Sequence, residues 1–437
     1  MQKTLFWKLI GFVLAAALAQ GARAQLMAGA ARVSITPDPT RVRYTLGGYG
    51  DLRRMTTPAT GVHDTCYARA LVLQDGGRTY ALVSLDLCYV PANVKAAVVA
   101  RVAGLGIASD ELFLSATHTH SGPEPLMLHS GCVGEIGAMP HFDPGLLDWM
   151  AEHISNAIRD AAAHMVPADI GSAQTGPIGL NRNRRGEPGT DDELTELKVT
   201  AADGKPIAVV VNYAAHPTFF GADMLQVSGD WAGAFERMME ATLPGSVVLF
   251  LNGTEGDVSP SGADDGTPDE RIETYACKLM RPTLRLLAAI RPEGHPKLDA
   301  WTEAVSLPEP KPHPFFLLGA ALFHATRDQA LALVHRMMPR VCQLSFLRLG
   351  RLLLMGFPGE PTTPIGLRAK QIARADGVAH PSVVALTNGW LGYLVTEGQY
   401  RAGKYEPTMS FYGPQIGSII IDGVRRGLHR TSKEKTF

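Results

Sequence analysis

The chain has 437 residues, of which 46% are hydrophobic and 19% are charged. This balance predicts a globular protein with a large core and excludes the charge-rich, apolar-poor composition of intrinsic disorder. The 41 basic and 42 acidic residues leave a formal net charge of -1. The chain as a whole therefore offers no electrostatic surface for nucleic acid.

Residues 1–24 have the pattern of a cleavable signal peptide. Lys3 and Lys8 flank an apolar stretch, and an Ala-x-Ala site ends at Ala24. An uncleaved anchor is the alternative, but the apolar run is shorter than the ~20 residues that span a bilayer. We therefore predict export to the periplasm or the medium, and a mature domain at 25–437 without a transmembrane segment.

Continuous apolar runs predict strands that are buried on both faces of a sheet, and helical patterns lie between them. In chain order, the predictions are strands at 80–87 and 112–116, a helix at 146–163, a strand at 207–212, a helix at 231–241, a strand at 247–251, helices at 271–290 and 326–338, and strands at 352–357 and 383–386. This alternation predicts an α/β fold with a mixed, largely buried sheet flanked by helices.

A proline-rich stretch at 307–314 predicts a rigid connector, and the apolar residues 315–323 follow it. These apolar residues form either a buried helix or part of a lid over an apolar substrate. The buried helix is the favoured interpretation, because helices of this length usually serve the core.

The five cysteines are scattered and form no CxxC pair: Cys66, Cys88, Cys132, Cys277 and Cys342. Their spacing predicts no thiolate metal site and no catalytic role. In an exported protein they allow at most two disulfides, in pairings that the sequence does not determine.

Polar side chains follow most of the predicted strands. They are His118 and His120, His216, Glu255 with Asp257 and Ser259, Glu360, and Asn388 with Tyr393. Ligands bind at the carboxyl ends of strands in open α/β sheets, so these distant segments are expected to build one site.

Two histidines and a carboxylate suit catalytic zinc, which takes three protein ligands and leaves one position open. Taken singly, each has an ordinary explanation as a turn or cap residue. Ser259 is either a nucleophile or a loop residue, and it lacks the G-x-S-x-G elbow of serine hydrolases. The arginines at 181–184 offer guanidinium groups for an oxyanion, or are simply solvated.

Taken together, these motifs resemble the neutral, non-lysosomal ceramidase family over residues 28 to about 412. The matching segments are 29–37, 47–49, 116–123, 181–182, 215–217, 227–230, 256–260, 359–363 and 388–393. The chain ends soon after the last of them, whereas family members carry a further immunoglobulin-like domain. We therefore expect that domain to be absent. Its absence would leave the metal site intact but would affect access to membrane lipid, and so bears on whether ceramide is the substrate.

The resemblance implies one zinc ion per chain, held by His118, His216, Glu360 and Tyr393. It also implies that His120 lies close by and that Ser259 is the essential serine. Arg182 and Tyr405 match an active-site arginine and a second active-site tyrosine, and Asp257 is a supporting residue.

The activity implied is zinc-dependent hydrolysis of an N-acyl amide, in the first place ceramide to sphingosine and fatty acid. The hypothesis is that zinc activates the attacking water, that Arg182 polarises the carbonyl, and that His120 passes a proton to the amine. Ser259 attacks directly or orients the substrate, and orientation fits better beside activated water. The implied partner is a lipid or N-acyl amide substrate, with peripheral membrane contact.

Two alternatives stay open. The first is an amidase, lactonase or esterase of the same fold that acts on another substrate. The second is a non-catalytic exported binding module, which has no need of the full set of histidines, glutamate, serine and tyrosine.

Overall fold

The computed structural model describes residues 25–134 and 136–433, so the predicted signal peptide lies outside the described residues. Its largest element is an eight-stranded mixed sheet. In spatial order this sheet contains β11 (Val247–Asn252), β9 (Pro206–Tyr213), β8 (Leu194–Ala201), β6 (Val166–Thr175), β1 (Met27–Ser34), β3 (Tyr67–Asp75), β4 (Arg78–Leu85) and β5 (Leu112–Ala116). The pairs β11–β9 and β4–β5 are parallel, and the other neighbours are antiparallel.

A second sheet of four strands follows in the sequence. Its spatial order is β13 (Leu298–Ser306), β14 (Val341–Leu349), β15 (Leu352–Gly356) and β17 (His380–Val384). Three short pairs complete the strands: β2 (Gly61–Val62) with β10 (Gln226–Val227), β7 (Asn181–Asn183) with β12 (Val258–Pro260), and β16 (Glu360–Pro361) with β18 (Tyr393–Leu394).

The two large sheets pack face to face. Leu82 and Leu249 of the first sheet share one buried apolar cluster with Leu347 and Leu354 of the second. A single bridge between Ser115 and Thr387 also joins the end of β5 to the segment after β17. The strands of both sheets therefore end near each other, which positions the site.

Helices cover the outer faces and make a four-layer α/β/β/α arrangement. They are α1 (Leu52–Thr56), α2 (Ala92–Val102), α3 (Pro144–Ala163), α4 (Asp230–Thr242), α5 (Pro268–Ala289), α6 (Pro314–Ala320), α7 (Arg327–Met337), α8 (Thr363–Ala375), α9 (Glu397–Ala402) and α10 (Ile416–Lys433). Local chemistry starts several of them. For example, Thr267 and Glu270 form a reciprocal capping box at the start of α5.

The predicted α/β class is confirmed, and the predicted strands and helices correspond to observed ones with small shifts at their ends. The strands β1, β3, β6, β8, β13 and β14 of the two large sheets were not predicted. In β6, for example, buried residues are mixed with exposed ones, so the strand has no continuous apolar run.

The favoured interpretation of residues 315–323 as a buried helix is wrong for one of its faces. These residues form α6 and a 3-10 turn at Ala321–Phe323, and Phe315, Leu318 and Leu322 are 63%, 67% and 71% exposed. The sequence pattern misled because a short apolar run carries no information about which side faces solvent.

Among the described residues, no helix combines the length and the apolarity needed to cross a bilayer.

Candidate metal centre

His118 lies two residues beyond the end of β5, where the backbone turns sharply. Its φ is 74°, which is uncommon for a residue with a side chain. The ring nitrogen Nδ1 lies 2.7 Å from the carbonyl oxygen of Cys88, to which it donates as N–H. This bond fixes the tautomer and leaves Nε2 as a free acceptor toward the site.

His216 follows β9 and is oriented in the same way. Its Nδ1 lies 3.1 Å from the carbonyl oxygen of Val258, which also accepts the backbone N–H of His216. Its Nε2 therefore faces the same space as that of His118. The two ring centroids lie 4.5 Å apart.

Glu360 and Tyr393 are direct partners in the parallel pair β16–β18. The Glu360 Oε1 atom accepts a hydrogen bond of 3.1 Å from the indole Nε1 of Trp390. Its Oε2 atom lies 3.4 Å from His118 Nε2 and 3.7 Å from His216 Nε2. The Tyr393 hydroxyl lies 3.4 Å from His216 Nε2.

This donor set fits zinc. His118, His216 and Glu360 present three buried ligand atoms that lie within 4.8 Å of one another. Glu360 Oε2 is buried and has no hydrogen-bond partner among the described residues, and both imidazoles are held by backbone carbonyls. The Nδ1 atoms bond backbone carbonyls, so the Nε2 atoms are left to face a metal ion. Such imidazoles beside an unpartnered carboxylate oxygen are the features of a preformed metal site.

The pKa shifts in the cluster also favour a metal site. Burial by itself raises the pKa of Glu360, but the neighbouring His118 and hydrogen bonds bring that pKa below its usual value. Burial, together with the nearby positive charge of Arg184, holds the pKa of His216 well below its usual value. An anionic carboxylate beside a neutral imidazole is the protonation state that a metal needs.

His120 forms one wall of this cluster. Its Nε2 lies 3.3 Å from His118 Nε2, and its ring meets the Tyr49 ring edge to face at 4.7 Å. Burial, together with the nearby positive charge of Arg184, lowers its pKa well below the usual value. Gly48, with φ of 97°, packs so closely on His120 that an added Cβ would lie 2.4 Å from its Cγ. The glycine therefore lets the backbone support the ring.

Arg184 contacts the cluster through its guanidinium group. The guanidinium of Arg184 donates to the Tyr393 hydroxyl at 2.9 Å, to the Gly256 carbonyl at 2.8 Å and to Glu406 at 3.0 Å. Arg182 is exposed, and no side-chain hydrogen bond of Arg182 occurs within the described chain. The resemblance selected the first arginine of the N-R-N-R run, whereas the bonds to Tyr393, Gly256 and Glu406 belong to the second, Arg184.

Asp257 bonds the turn after β11 to Thr363, Asn183 and Gln399. Its Oδ1 accepts from the backbone N–H and the hydroxyl of Thr363, at 2.8 and 2.7 Å, at the start of α8. Its Oδ2 accepts from Asn183 and Gln399. Asp257 therefore fixes the loop that carries Ser259, and its own carboxylate is fully used.

Ser259 pairs with Arg182 across β12 and β7. It is partly exposed, and its hydroxyl makes no hydrogen bond to any described residue. It follows directly after Val258, whose carbonyl orients His216. Ser259 is thus held beside the cluster with a hydroxyl available to a ligand.

Tyr405 lies at the outer side of the cluster. Its ring centroid is 5.8 Å from that of Tyr393, and the Arg184 guanidinium carbon is 5.7 Å from its centroid. The side chain is 55% exposed. Tyr405 is therefore placed at the mouth of the site.

Three further buried residues lie near the cluster, and of these only Glu255 was expected at the site, as one of the polar residues that follow the strands. Glu255 is fully buried and neither carboxylate oxygen has a partner among the described residues, and burial together with Glu360 raises its pKa. Trp390 orients Glu360. Cys88 lies beside His118, with Sγ 3.6 Å from Nδ1. No short motif marks them, because only the fold brings them to the histidines.

All five cysteines are free thiols. The structure thus contains neither of the two disulfides that the composition allowed.

Comparisons with known proteins identify the family of the chain. The family model described as neutral/alkaline non-lysosomal ceramidase, N-terminal, matches residues 27–285 and 327–422. The chain is 23% identical to the neutral ceramidase of Mycobacterium tuberculosis, over 84% of this chain and 71% of that protein. It is 23% identical to the neutral ceramidase of Pseudomonas aeruginosa, over 95% and 74% of the two proteins.

The crystal structure of neutral ceramidase from Pseudomonas aeruginosa shares the fold, with a TM-score of 0.78 at 20% identity. The match covers 93% of this chain and 75% of that chain. The family model covers most of the described chain, including all four proposed metal ligands. The chain therefore belongs to the neutral/alkaline non-lysosomal ceramidase family.

Proposed function

We propose that this chain is a zinc-dependent amide hydrolase that cleaves ceramide to sphingosine and fatty acid. Membership of a ceramidase family implies amide hydrolysis. The observation that carries the zinc dependence is the convergence of His118 Nε2, His216 Nε2 and the unpartnered Glu360 Oε2. Tyr393 is the proposed fourth ligand, since its hydroxyl lies beside His216.

The metal and the surrounding residues have separate roles in this proposal. Zinc held by these residues would supply Lewis acidity, which lowers the pKa of water to about 7 and polarises a carbonyl group. Arg184 places a positive charge beside the Tyr393 hydroxyl, where negative charge develops on the amide oxygen during attack.

Proton transfer falls to His120. Its ring lies against His118, and its Nδ1 has no partner among the described residues. It can therefore accept the proton that the attacking water loses and deliver it to the nitrogen of the leaving amine. The C–N bond then breaks, giving a carboxylic acid and a free amine.

Ser259 is proposed to bind the substrate rather than attack it. Its free hydroxyl has no base bonded to it among the described residues, and a serine nucleophile needs such a base. The test is a search for an acyl-serine adduct by mass spectrometry during turnover of ceramide. Detection of that adduct on Ser259 would overturn this role.

The first experiment is hydrolysis by the purified mature chain of ceramide and simpler N-acyl amides, with chelator or with added zinc. Release of fatty acid from ceramide that chelator abolishes and zinc restores is the expected result. Zinc-dependent cleavage of only the simpler amides would keep the mechanism and replace the substrate. No cleavage by zinc-loaded protein would overturn the proposal in favour of a binding role.

We also propose that the chain acts outside the cytoplasm as a mature domain at 25–437. The support is the Lys-flanked apolar stretch and the Ala-x-Ala site within residues 1–24. Expression of the full chain in a bacterial host should give a periplasmic or secreted product that begins at Gln25. Mass spectrometry that finds an intact, cytoplasmic chain beginning at Met1 would contradict this.

A further inference from the structure

The 314–323 segment, which consists of α6 and the following 3-10 turn, has two unlike faces. On the inner face, Phe316 meets the ring of Phe411 edge to face at 5.2 Å. On the outer face, Phe315, Leu318 and Leu322 are each more than 60% exposed. Large apolar side chains clustered on one exposed helix face indicate a surface that another phase or molecule covers.

The inner face of the segment connects to the metal centre through aromatic rings. Phe411 lies 5.9 Å from the ring of Trp390, and the Trp390 indole donates to Glu360. The segment thus rests on the wall that orients one proposed metal ligand.

The far end of the segment reaches the opposite wall. Phe323 Cζ lies 3.9 Å from the position that a Cβ on Gly50 would occupy. Gly50 follows Gly48 and Tyr49, which pack on His120. The outer apolar face therefore lies at the rim of the site. The exposed Tyr405 directly precedes the 3-10 turn Glu406–Met409, against which α6 packs.

The segment also lies outside the parts of the chain that the family model matches. The family model matches residues 27–285 and 327–422 and leaves 286–326 unmatched. The shared fold thus does not account for the exposed face.

We propose that Phe315, Leu318 and Leu322 insert into a zwitterionic lipid bilayer and bring the mouth of the site onto the membrane surface. This inference rests on the proposed function, since an enzyme acting on a membrane lipid must take its substrate from a bilayer. A few apolar side chains beside an interfacial tyrosine suffice for such shallow, reversible contact.

A second copy of the chain is a poorer occupant for this face. Three side chains of at most about 200 Å² each fall short of the roughly 800 Å² per partner of a stable interface. The exposed charges flanking the segment are also balanced, with Glu309 and Lys311 before it and Arg327 and Asp328 after it. This balance favours an uncharged lipid surface over an anionic one.

The test is co-sedimentation of the full mature chain with phosphatidylcholine vesicles. The parent should bind, and the triple variant Phe315→Ser, Leu318→Ser, Leu322→Ser should bind at least about tenfold more weakly, since transfer of one leucine alone is worth about that factor. The matched control replaces two exposed apolar residues elsewhere, Val166→Ser on β6 and Leu367→Ser on α8, and should bind like the parent.

Two further variants keep the test decisive if the triple variant melts at a lower temperature than the parent. Leu318→Ser alone should weaken vesicle binding by about tenfold, and Phe315→Trp should preserve it, because tryptophan partitions well at the interface. A parent that does not sediment with vesicles, or a triple variant that binds equally well, would overturn the inference. So would light scattering that shows a dimeric parent and a monomeric triple variant.

The readout separates this inference from the proposed function, because vesicle binding is measured without hydrolysis. Vesicle binding without cleavage of any amide would contradict the proposed function alone. Cleavage of a short-acyl, water-soluble ceramide by a chain that does not bind vesicles would contradict the membrane inference alone.

Discussion

Two neighbouring arginines of the same short run are placed differently in the structure. Arg184 bonds the Tyr393 hydroxyl and Gly256, while Arg182 is exposed. A flat guanidinium can bond these two groups and Glu406 at once, which an ammonium group cannot do.

We expect Arg184→Lys to lower kcat/KM for ceramide by about 10²-fold, a typical cost of removing one group that stabilises an oxyanion. The matched variant Arg182→Lys should stay within about threefold of the parent, because that side chain has no partner to lose. Steady-state kinetics of the two variants show which of the two arginines supports catalysis. A large loss for Arg182→Lys with a normal Arg184→Lys would restore the arginine chosen from the resemblance.

His216 provides a test of the ligand set itself. We expect His216→Ala to lose bound zinc and activity together, since one of three close ligand atoms disappears. Elemental analysis of the purified variant, beside ceramide hydrolysis, measures both. Full zinc occupancy with normal turnover would show that the ligand assignment is wrong.

Glu124 makes the stability of the protein depend on pH. Burial raises its pKa to about 7, from about 4.3 for a free glutamate. Between these two values the folded state holds a proton that the unfolded state has lost. The contribution of this group to stability is therefore complete below about pH 4 and is lost as the pH rises through about 7.

Glu124→Gln should remove this dependence, because the amide oxygen can still accept from Leu126 N–H. We expect the variant to gain as much as 3 kcal/mol on the parent between pH 5 and pH 8, by the relation of about 1.4 kcal/mol per pKa unit. Urea unfolding at both pH values measures the difference. An identical change at pH 5 and pH 8 would contradict a raised pKa.

At the scale of elements, a loop and a helix share one carboxylate. Asp257 accepts from two groups of Thr363 at the start of α8 and from Asn183. The loop that carries Ser259 and the helix that follows Glu360 are therefore fixed by one side chain.

We expect Asp257→Ala to cost about 2 to 4 kcal/mol, from a lost cap and buried donors left without acceptors, and also to reduce activity. Asp143→Ala is the matched control, since Asp143 caps α3 by accepting from Leu146 N–H at 3.0 Å. It should cost about 1 kcal/mol and leave kcat unchanged. Equal losses of activity in both variants would show that Asp257 has no special role at the site.

The sequence predicted elements best where burial was complete. Strand β5 was predicted with its observed bounds, because all five of its residues are buried. The polar residues that follow the strands were expected to meet, and His118, His216 and Glu360 do so. The strands of a sheet end along a common edge, so this expectation needed only the strand pattern.

Other features depend on contacts between distant segments and leave no local pattern. Nothing near Arg184 in the sequence indicates that it bonds Tyr393, which is 209 residues away. Likewise, the apolar run at 315–323 does not show which of its faces packs on Phe411. Side-chain direction at such positions is decided by the fold as a whole.

At the scale of the whole molecule, the proposed ligands come from both halves of the sandwich. His118 and His216 follow strands of the eight-stranded sheet, whereas Glu360 follows β15 of the four-stranded sheet and Tyr393 follows β17. A bound ion would therefore join the two sheets and stabilise their packing.

We expect chelation to lower the melting temperature of the parent. Zinc that binds only the folded state stabilises it by about 4 kcal/mol when its free concentration is about 1,000 times its Kd. His216→Ala should melt at the same temperature with and without chelator. Calorimetry of both proteins checks this, and an equal chelator effect on the two would place the stabilising ion elsewhere.

In the sequence, the 314–323 segment lies between two pairs of proposed ligands. His118 and His216 lie before it, while Glu360 and Tyr393 lie after it. A protease cut in this segment would leave two fragments that meet through the pairing of β13 with β14, and neither would hold the four ligands alone. The protein thus contains a natural split point, and recovery of activity from separately made fragments would report their reassembly.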